Sequence, residues 1–434
     1  MLVEVAERLQ RVLESAAQHL YNGDHISCSL ALLPTAAMDT MPHPWGMADV
    51  VKPQQQQQQQ SSQVELIVGL SKTIVSDALT RYLFELRKRK EQQTSQLLTT
   101  EEKKTGPTLL APLVPYLTTE IVLLALLFLP SHCTLWNQRR QSLNTFLHSD
   151  SVDMHDGQHR RRSILIVLLQ ELLFTSLLLS FYYKMQEVWV YRWWIVQELL
   201  KRGGINVEAF LWHDRLVLQE AADKHLMNYN AWNYRRNVFT RILEMEKNET
   251  DVDIEEEEGR GGGRVQQLFL EETNITLRFF ETHNADTSAV SYLIFLLQQA
   301  STIFSSSYPD VTSDDPLSQW KLFLPFRIWR LLLQASAREL TRHCDKGHEA
   351  VWVLRLALMQ WALQTRPPCG WTLRDELEYI MLFAAAATSV WRDEEEEAKI
   401  RDVTWLDVSG SYRWTSFHAA RYGLQLLQMV QTAV

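Results

Sequence analysis

The stretch "NYNAWNYRRNVFTRIL", residues 228–243, joins a short polar prefix to a tryptophan, an arginine three residues later and an apolar helical face. Residues three apart share one face of a helix, so Trp232 and Arg235 project together. A tryptophan near a helix start supplies a large rigid surface that can fill the space between stacked helical pairs. An arginine one turn later can satisfy carbonyl groups or stack on an aromatic ring. The stretch therefore predicts a helix that begins with a packing cluster.

The same Trp-x-x-Arg pair recurs along the chain, each time after a break and at the start of an apolar helical stretch. The pairs of this kind are Trp136/Arg139, Trp189/Arg192, Trp232/Arg235 and Trp352/Arg355. A degenerate copy at 284–300 has Val290 and Leu293 in the two places. The pairs Trp212/Arg215 and Trp371/Arg374 lack the prefix and fall outside the pattern. The five anchors are 43 to 62 residues apart, which predicts a helical-pair repeat with loops of variable length.

Helix-forming residues dominate most of the chain, with apolar residues recurring at intervals of three and four. No convincing alternating strand is present, so the patterns predict an all-α fold, a solenoid of helical hairpins. The domains we predict are an N-terminal helical region at 1–108, the repeats at 109–366 and C-terminal helices at 367–434. The N-terminal region carries a glutamine-rich low-complexity insertion at 53–63 and a linker at 91–107.

Other polar tracts interrupt the helical segments and are rich in charged residues, serine or glycine. They lie at 149–163, 246–264, 305–316 and 392–399. Segments with so few apolar residues have little to bury, so we predict surface loops for the first three and a solvated turn or helix end for the last.

The amino-acid composition excludes several classes of protein and of binding site. The 434 residues are 46% apolar and carry a net charge of −9, which argues against a general nucleic-acid binder. The four cysteines form no CxxC pair, so we do not expect a disulfide framework. We expect the chain to lie in a reducing compartment, the cytoplasm. The pairs His132/Cys133, His343/Cys344 and His348/Glu349 fit no zinc motif, and we expect this chain to bind no metal or cofactor itself.

One segment, 163–183, is long and apolar enough to span a bilayer. Gln170 and Glu171 lie near its middle, and a charge at mid-bilayer costs roughly 3 kcal/mol on insertion scales. We therefore predict a buried core helix there and no stable membrane span. An integral membrane protein is the alternative that rests on this segment alone.

The form "NYNAWNYRR" resembles the repeat of protein prenyltransferase alpha subunits, in which Asn-Tyr precedes Trp-x-x-Arg. "LFLPSHCTLWNQRR" and "HEAVWVLRL" are similar, and the resemblance covers roughly 109–366. Within the family, "HISCSLALLP" at 25–34 and "GHEAVW" resemble a divergent subgroup of repeat-containing proteins. The resemblance implies a right-handed crescent of antiparallel helical hairpins that wraps a beta-type subunit. It also implies that the beta subunit holds the zinc, the prenyl diphosphate and the acceptor cysteine.

The resemblance carries three candidate site residues over to this chain. Lys184, five residues before Trp189, matches a lysine that neutralises diphosphate charge, and Tyr229 matches a tyrosine whose hydroxyl can donate to the same diphosphate. Asn230 stands where some relatives have a polar residue beside the diphosphate. The Asn-Tyr of the second repeat is missing, because Met185 and Gln186 take its place. The second repeat therefore departs from the family pattern at these two positions.

Two hypotheses of different class follow. The first is an alpha-type subunit of a protein prenyltransferase, for which a geranylgeranyltransferase is expected. It is inactive without a beta-type partner, for which the Rab-type beta subunit is expected, and it acts on proteins with a C-terminal cysteine. The second is a non-enzymatic helical-repeat scaffold that has kept the fold and lost the site, as the altered second repeat and the degenerate fourth repeat suggest.

Overall fold

The computed structural model of the protein describes most of the chain and divides it into two compact units, 1–238 and 239–434. Fourteen helices and three strands lie in the described part. The described residues are 2–33, 46–51, 63–71, scattered positions between 76 and 88, 119–148, 157–252, 260–305, 316–342, 349–367, 372–389 and 411–433. The predicted all-α solenoid of helical hairpins is confirmed, with one exception near the N-terminus.

The first unit combines a helix, a small sheet and the first hairpins. Its elements are α1 (Leu2–Tyr21), β1 (His25–Leu33), β2 (Gly46–Val51), β3 (Gln63–Ser71), α2 (Thr119–Leu126), α3 (Cys133–His148), α4 (Gly157–Phe181), α5 (Gln186–Arg202), α6 (Val207–Lys224) and the start of α7 (Tyr229–Val252). Helix α4 is its centre, because α1, β1, α5 and α6 all pack against it. Leu168, Leu172 and Leu177 on α4 have no exposed surface.

The sheet contradicts the prediction that 1–108 is a helical region without strands. Its strand order is β1-β3-β2, with β1 parallel and β2 antiparallel to β3. Alternate residues of β1, namely Ile26, Cys28 and Leu30, are buried, whereas Ser29 between them is exposed. This two-residue period is typical of a half-buried strand. The short alternation is hidden in the sequence by the apolar residues that follow it in "LALL".

The sheet and α1 pack directly on the repeat helices, so the predicted boundary at 108/109 does not separate two compact units. The Nδ1 atom of His213 on α6 hydrogen-bonds the carbonyl of Ile26 at 2.7 Å, and the indole of Trp212 stacks on His25 with ring centroids 4.4 Å apart. The hydroxyl of Ser180 on α4 accepts from the backbone N–H of Leu30 at 3.1 Å. These contacts join β1 to α4 and α6 within the first unit.

Helix α4 is also the one described segment, over Gln158–Phe181, that is long and apolar enough to cross a membrane by length and composition. Within the protein, 67% of its most apolar window is buried. The carboxylate of Glu171 near its middle is held by Arg139 of α3. The helix therefore has the position of the core helix that the sequence predicts.

The second unit continues the helical pattern from the end of α7. Its further elements are α8 (Arg260–Thr282), α9 (Thr287–Ile303), α10 (Pro316–Leu322), α11 (Leu324–Arg342), α12 (Glu349–Thr365), α13 (Leu373–Ser389) and α14 (Ser411–Ala433). Helix α9 packs against α8, α11 and α12, and α14 packs against α12 and α13. The carboxylate of Asp286 caps α9 by accepting from the backbone N–H groups of Ser288 and Ala289.

Two predicted loops are wrong in part. Helix α4 begins at Gly157, so 157–163 is helical, and α7 and α8 extend over 246–252 and 260–264. Glu, Lys and Arg are good helix formers, so the charged residues at 160–162 and 246–247 can prolong their helices. The remainders of those tracts, the insertion at 53–62, the linker at 91–107 and the tracts at 306–315 and 392–399 lie outside the described residues.

Candidate functional site at the turns before α5 and α7

The repeat tryptophans pack at the starts of α3 and α5 as the sequence predicts. The indole N–H of Trp136 donates to the carbonyl of Pro130 at 2.7 Å, and that of Trp189 donates to the carbonyl of Tyr183 at 3.0 Å. Each acceptor lies six residues earlier, in the turn that precedes the helix. The indole therefore fills the space between helices and also satisfies a turn carbonyl.

The repeat arginines are buried and paired with carboxylates, a feature that the sequence analysis missed. Arg139 donates from Nε and Nη2 to the two carboxylate oxygens of Glu171, at 2.6 Å each. Arg192 donates to Oδ1 of Asp214 from Nε at 3.3 Å and from Nη2 at 3.0 Å. Arg235 donates to the other oxygen of Asp214 at 3.1 Å. Buried guanidinium groups need such partners, because an unpaired buried charge is strongly destabilising.

A tyrosine completes each of these clusters. The hydroxyl of Tyr191 donates to Glu171 at 2.9 Å, and that of Tyr234 donates to Asp214 at 2.6 Å. Burial, together with the Asp214 carboxylate, raises the pKa of the Tyr234 hydroxyl well above its ordinary value, so it remains a protonated donor. The rings of Trp189 and Tyr234 also pack, with centroids 5.0 Å apart.

The second unit repeats the arrangement at Arg355. Its Nε and Nη2 donate to the two oxygens of Glu376, at 2.8 and 2.5 Å, and its Nη1 donates to the hydroxyl of Ser336 at 3.2 Å. The hydroxyl of Tyr422 donates to Glu376 at 2.8 Å, and its ring packs on Trp352 with centroids 5.1 Å apart. The Trp-x-x-Arg positions are therefore structural anchors of the helical pairs.

The degenerate fourth repeat keeps only part of the cluster. Val290 and Leu293 are buried on α9 in the places of the tryptophan and arginine. Tyr292, between them, still donates to the carboxylate of Glu272 at 2.9 Å. Glu171, Asp214 and Glu272 each precede their tyrosine by twenty residues. That constant spacing is the signal that could have revealed the carboxylates.

The predicted site residues lie together at one edge of the first unit. Lys184 is exposed in the turn between α4 and α5, and Tyr229 is the first residue of α7. The side-chain amide of Asn230 donates to the backbone carbonyl of Lys184 at 3.1 Å. The amide of Asn228 donates to the carbonyl of Tyr183 at 2.9 Å. Two asparagines of the opening stretch thus tie the turn before α7 to the turn before α5.

The turn before α7 has a local geometry that presents Tyr229 to solvent. Met227 adopts the left-handed conformation with φ 57°, which is uncommon for a side chain of its size. Its carbonyl accepts from the backbone N–H of Tyr229 at 2.9 Å, and the side chain of Tyr229 is 68% exposed. The hydroxyl of Tyr229 is therefore available to a bound molecule, in contrast to the buried hydroxyls of Tyr191 and Tyr234.

Charge and apolar surface meet at this edge. Besides Lys184, the ammonium of Lys224 lies there and donates to the carbonyl of Ser180 at 2.8 Å. Phe181 and Met227 are large apolar side chains that remain 41% and 52% exposed. The arrangement can attract an anion and contact an apolar surface at the same time. We name Lys184, Tyr229 and Asn230 the turn edge.

No group of three or more His, Cys, Asp or Glu side chains in the described part of the chain is placed to hold a metal ion. Cys133 is exposed and Cys28 is buried, where burial raises its pKa above the ordinary thiol value. His343, Cys344 and His348 lie outside the described residues. That the chain binds no metal itself stays a prediction.

Comparison with known proteins agrees with the repeat geometry. A model of the protein prenyltransferase alpha subunit repeat matches residues 216–242, which include Tyr229, Asn230, Trp232 and Arg235. The chain is 23% identical over 217 residues to human "Protein prenyltransferase alpha subunit repeat-containing protein 1", covering 46% of this chain and 44% of that protein. It is 31% identical over 125 residues to "Geranylgeranyl transferase type-2 subunit alpha" of Candida albicans, covering 28% of this chain and 30% of that protein.

The chain spans less than half the length of either of these curated relatives. The matched repeat coincides with the stretch that ties the two turns together. The predicted family resemblance is confirmed: residues 216–242 match the protein prenyltransferase alpha subunit repeat, and the chain is similar over part of its length to two curated proteins of that kind.

Proposed function

We propose that this chain is an alpha-type subunit of a protein prenyltransferase. In this role it scaffolds a beta-type catalytic subunit that transfers a geranylgeranyl group to a protein cysteine. The observation that carries the proposal is the hydrogen bond from Asn230 to the carbonyl of Lys184, which holds Lys184 and Tyr229 at one exposed edge. The match to alpha subunit repeats over that same stretch supports it.

The chain's own contribution follows from charge. In this class of reaction, zinc on the beta-type partner presents the acceptor cysteine as a thiolate that displaces diphosphate from the isoprenoid. Lys184 would place an ammonium group where negative charge develops on the departing diphosphate, and Tyr229 would donate a hydrogen bond to it. Donors that are already in position when charge develops lower the barrier without reorganisation.

The Candida albicans relative, named as the alpha subunit of a type-2 geranylgeranyl transferase, supports geranylgeranyl as the group transferred. We propose a Rab-type beta subunit as partner, proteins with a C-terminal cysteine as substrates, and the cytoplasm as the location. Zinc would be held by the partner, because neither Lys184 nor Tyr229 is a zinc ligand in the usual sense. The prenyl diphosphate would also lie on the partner, with Lys184 and Tyr229 of this chain contacting its diphosphate group.

The test is a transfer assay on the chain co-purified with a Rab-type beta subunit. Lys184→Ala is expected to lower kcat by about 100-fold, the usual loss when one donor to the developing charge is removed. The yield and stoichiometry of the complex should stay unchanged, since Lys184 is an exposed turn residue. Tyr229→Phe keeps the ring and should lower kcat less.

The matched control is Lys201→Ala, which removes an exposed lysine from the last turn of α5, the helix that follows Lys184. Lys201 lies at the far end of the 17-residue helix α5, about 25 Å away at 1.5 Å per residue. Its loss should leave kcat unchanged. Equal activity of the two lysine variants would refute the role of Lys184.

A second candidate function is a non-enzymatic scaffold. Met185 and Gln186 replace the expected Asn-Tyr at the second turn, and Val290 and Leu293 replace the fourth anchor pair. The same assay separates the two candidates. A scaffold would bind its partner protein with no transfer that depends on Lys184.

A further inference from the structure

An open cleft of about 510 Å³ lies in the first unit, where the start of α4 meets the ends of α1 and α5. Helix α5, which has 17 residues and is about 25 Å long, separates this cleft from Lys184 and the turn edge. A volume of this size is typical of small-molecule sites. The residues that form the cleft include His159, Arg161 and Arg162, together with Tyr21, Leu165 and Gly204.

The lining of this cleft carries charge of one sign. It includes two arginines and a histidine, and none of the described residues that line it is Asp or Glu. The chain as a whole has the opposite balance, with 52 Asp and Glu against 43 Lys and Arg. Clefts lined by one sign of charge concentrate the electric field and attract counter-ions. We name His159, Arg161 and Arg162 the basic cleft.

Arg161 is held in place by the backbone at the end of α5. Its Nη2 donates to the carbonyl of Arg202 at 2.7 Å. Gly204 adopts a φ of 81°, and a Cβ on it would lie 3.6 Å from Nη2 of Arg161 and 3.5 Å from Leu165. The missing side chain lets the guanidinium lie against this turn. Nε and Nη1 of Arg161 donate to no described residue, so they remain available to a ligand.

Arg162 is also positioned without a carboxylate. Its guanidinium lies over the ring of Tyr21, 5.5 Å from the centroid, and this contact leaves the N–H groups at the edge of the guanidinium plane unused. Neither Arg161 nor Arg162 forms an ion pair with a described residue. The carboxylate of Glu198 is already paired with Arg202. The cleft therefore holds two guanidinium charges that the described residues do not offset.

We propose that the basic cleft binds a phosphate ester of small-molecule size, with Arg161 and Arg162 as the groups that hold its phosphate. A phosphate monoester carries about two negative charges near pH 7 and can offset both guanidinium charges. Arginine presents a planar fork of donors that matches phosphate oxygens. The cleft has room for the molecule that carries the phosphate. The proposal goes beyond the proposed function and does not rest on it.

The probe is inositol trisphosphate, titrated into the full chain by isothermal titration calorimetry. The ionic strength is set to about 0.15 M, at which the Debye length is about 8 Å and distant surface charges are screened. We expect one saturable site. Citrate also carries three negative charges, but only one on each carboxylate, so it should bind about 10-fold more weakly. Absence of saturable binding, or citrate binding as tight as that of the trisphosphate, would overturn the phosphate site.

A phosphate ester can come from a soluble molecule or from a lipid headgroup. Sedimentation with phosphatidylcholine vesicles that contain phosphatidylinositol bisphosphate distinguishes the two sources, with pure phosphatidylcholine vesicles as the blank. Sedimentation that is lost in Arg161→Gln would assign the site to a lipid headgroup. Binding of the trisphosphate without sedimentation would assign it to a soluble ester, and both results support the phosphate chemistry.

Two variants place the binding in the cleft. Arg161→Gln removes one guanidinium at an exposed position and should weaken trisphosphate binding about 10-fold, because hydrogen bonds between charged groups are the strong ones. Arg11→Gln makes the same change of charge at an exposed position of α1 outside the cleft and should leave binding unchanged. Circular dichroism checks that both variants fold. Equal binding by the two variants would overturn the proposal.

Discussion

Two repeat junctions show opposite solutions to the same packing problem. In the first unit, Arg192, Asp214 and Tyr234 form a charged and hydrogen-bonded cluster in which all three side chains are buried. In the second unit, Leu293 takes the place of the repeat arginine, and Leu354 takes the place of the tyrosine two residues after the next anchor. Both leucines have no exposed surface.

The difference teaches that a buried arginine and the tyrosine that accompanies it can be replaced together by apolar residues. Removing one partner of a buried ion pair leaves an uncompensated buried charge, whereas replacement by apolar residues of similar volume can be neutral. The Trp-x-x-Arg motif marks a packing junction, and the chemistry of the protein has to be sought at the turns.

The largest expected effect follows from Asp214→Asn, which leaves the buried guanidinium groups of Arg192 and Arg235 without their carboxylate. Breaking a buried pair in this way costs about 3–5 kcal/mol. Hydrogen exchange on the full chain should show α4 to α6 opening more readily by that amount. The exposed carboxylate variant Glu208→Gln on the same helix serves as control, and equal exchange in both would contradict the account.

A smaller loss is expected from rebuilding the motif in the degenerate repeat. Leu293→Arg places a guanidinium at a fully buried position in a junction where Leu354 replaces the tyrosine, so we expect a destabilisation of about 3 kcal/mol. Leu293→Met conserves volume and should cost less than about 1.5 kcal/mol. Urea unfolding monitored by exchange in α9 measures both. If the arginine variant were as stable as the methionine variant, the junction would retain a partner for it.

His213 makes the stability of the region around the Arg192–Asp214 pair sensitive to pH. Burial, with the nearby Arg192 guanidinium, lowers the pKa of His213 to about 4. The unfolded state, with its histidine pKa near 6.5, therefore binds more protons than the folded state between pH 6.5 and 4. Stability should fall as the pH is lowered through this range, by about 3 kcal/mol in total from this group.

The measurement compares urea unfolding of the wild type and His213→Gln at pH 7 and pH 5. Glutamine can still donate to the carbonyl of Ile26 but does not titrate, so the pH dependence should become shallower. An unchanged slope in the variant would show that His213 is not the titrating group.

The smallest effect should come from Tyr292→Phe, which removes one hydrogen bond to the buried carboxylate of Glu272 in the fourth repeat. The loss is expected to be about 1–3 kcal/mol, because the carboxylate stays buried with fewer donors. Tyr234→Phe is the matched change at Asp214, and we expect a loss of similar size there. Exchange rates in each region measure the two losses, and no loss for Tyr292→Phe would contradict the account.

The helical repeat and its anchors could be predicted from sequence because their spacing is periodic and their residue types are large and rare. The carboxylate partners were missed because each lies on a different helix from its arginine, 21 to 32 residues away, as with Glu171 and Arg139. The sheet was missed because the buried alternation at Ile26, Cys28 and Leu30 is short. Such long-range pairings depend on tertiary packing, which local propensity does not determine.

The candidate site, like the fold, could be predicted from the sequence only in part. Lys184 and Tyr229 could be picked from their positions before two anchors, 45 residues apart in the chain. Their meeting at one edge depends on the Asn230 side chain and on the left-handed Met227, and neither feature is signalled by periodicity. The family resemblance identified Lys184 and Tyr229, and the packing of the two turns explains why they lie together.

The most direct test of the proposed function is assembly. The full chain, co-expressed with a Rab-type beta subunit, should elute in size-exclusion chromatography as a one-to-one complex whose mass is confirmed by light scattering. That complex should transfer geranylgeranyl to a protein with a C-terminal cysteine. Separate elution of the two chains at micromolar concentration would contradict the alpha-subunit account and leave the helical-repeat scaffold as the better explanation of "NYNAWNYRR".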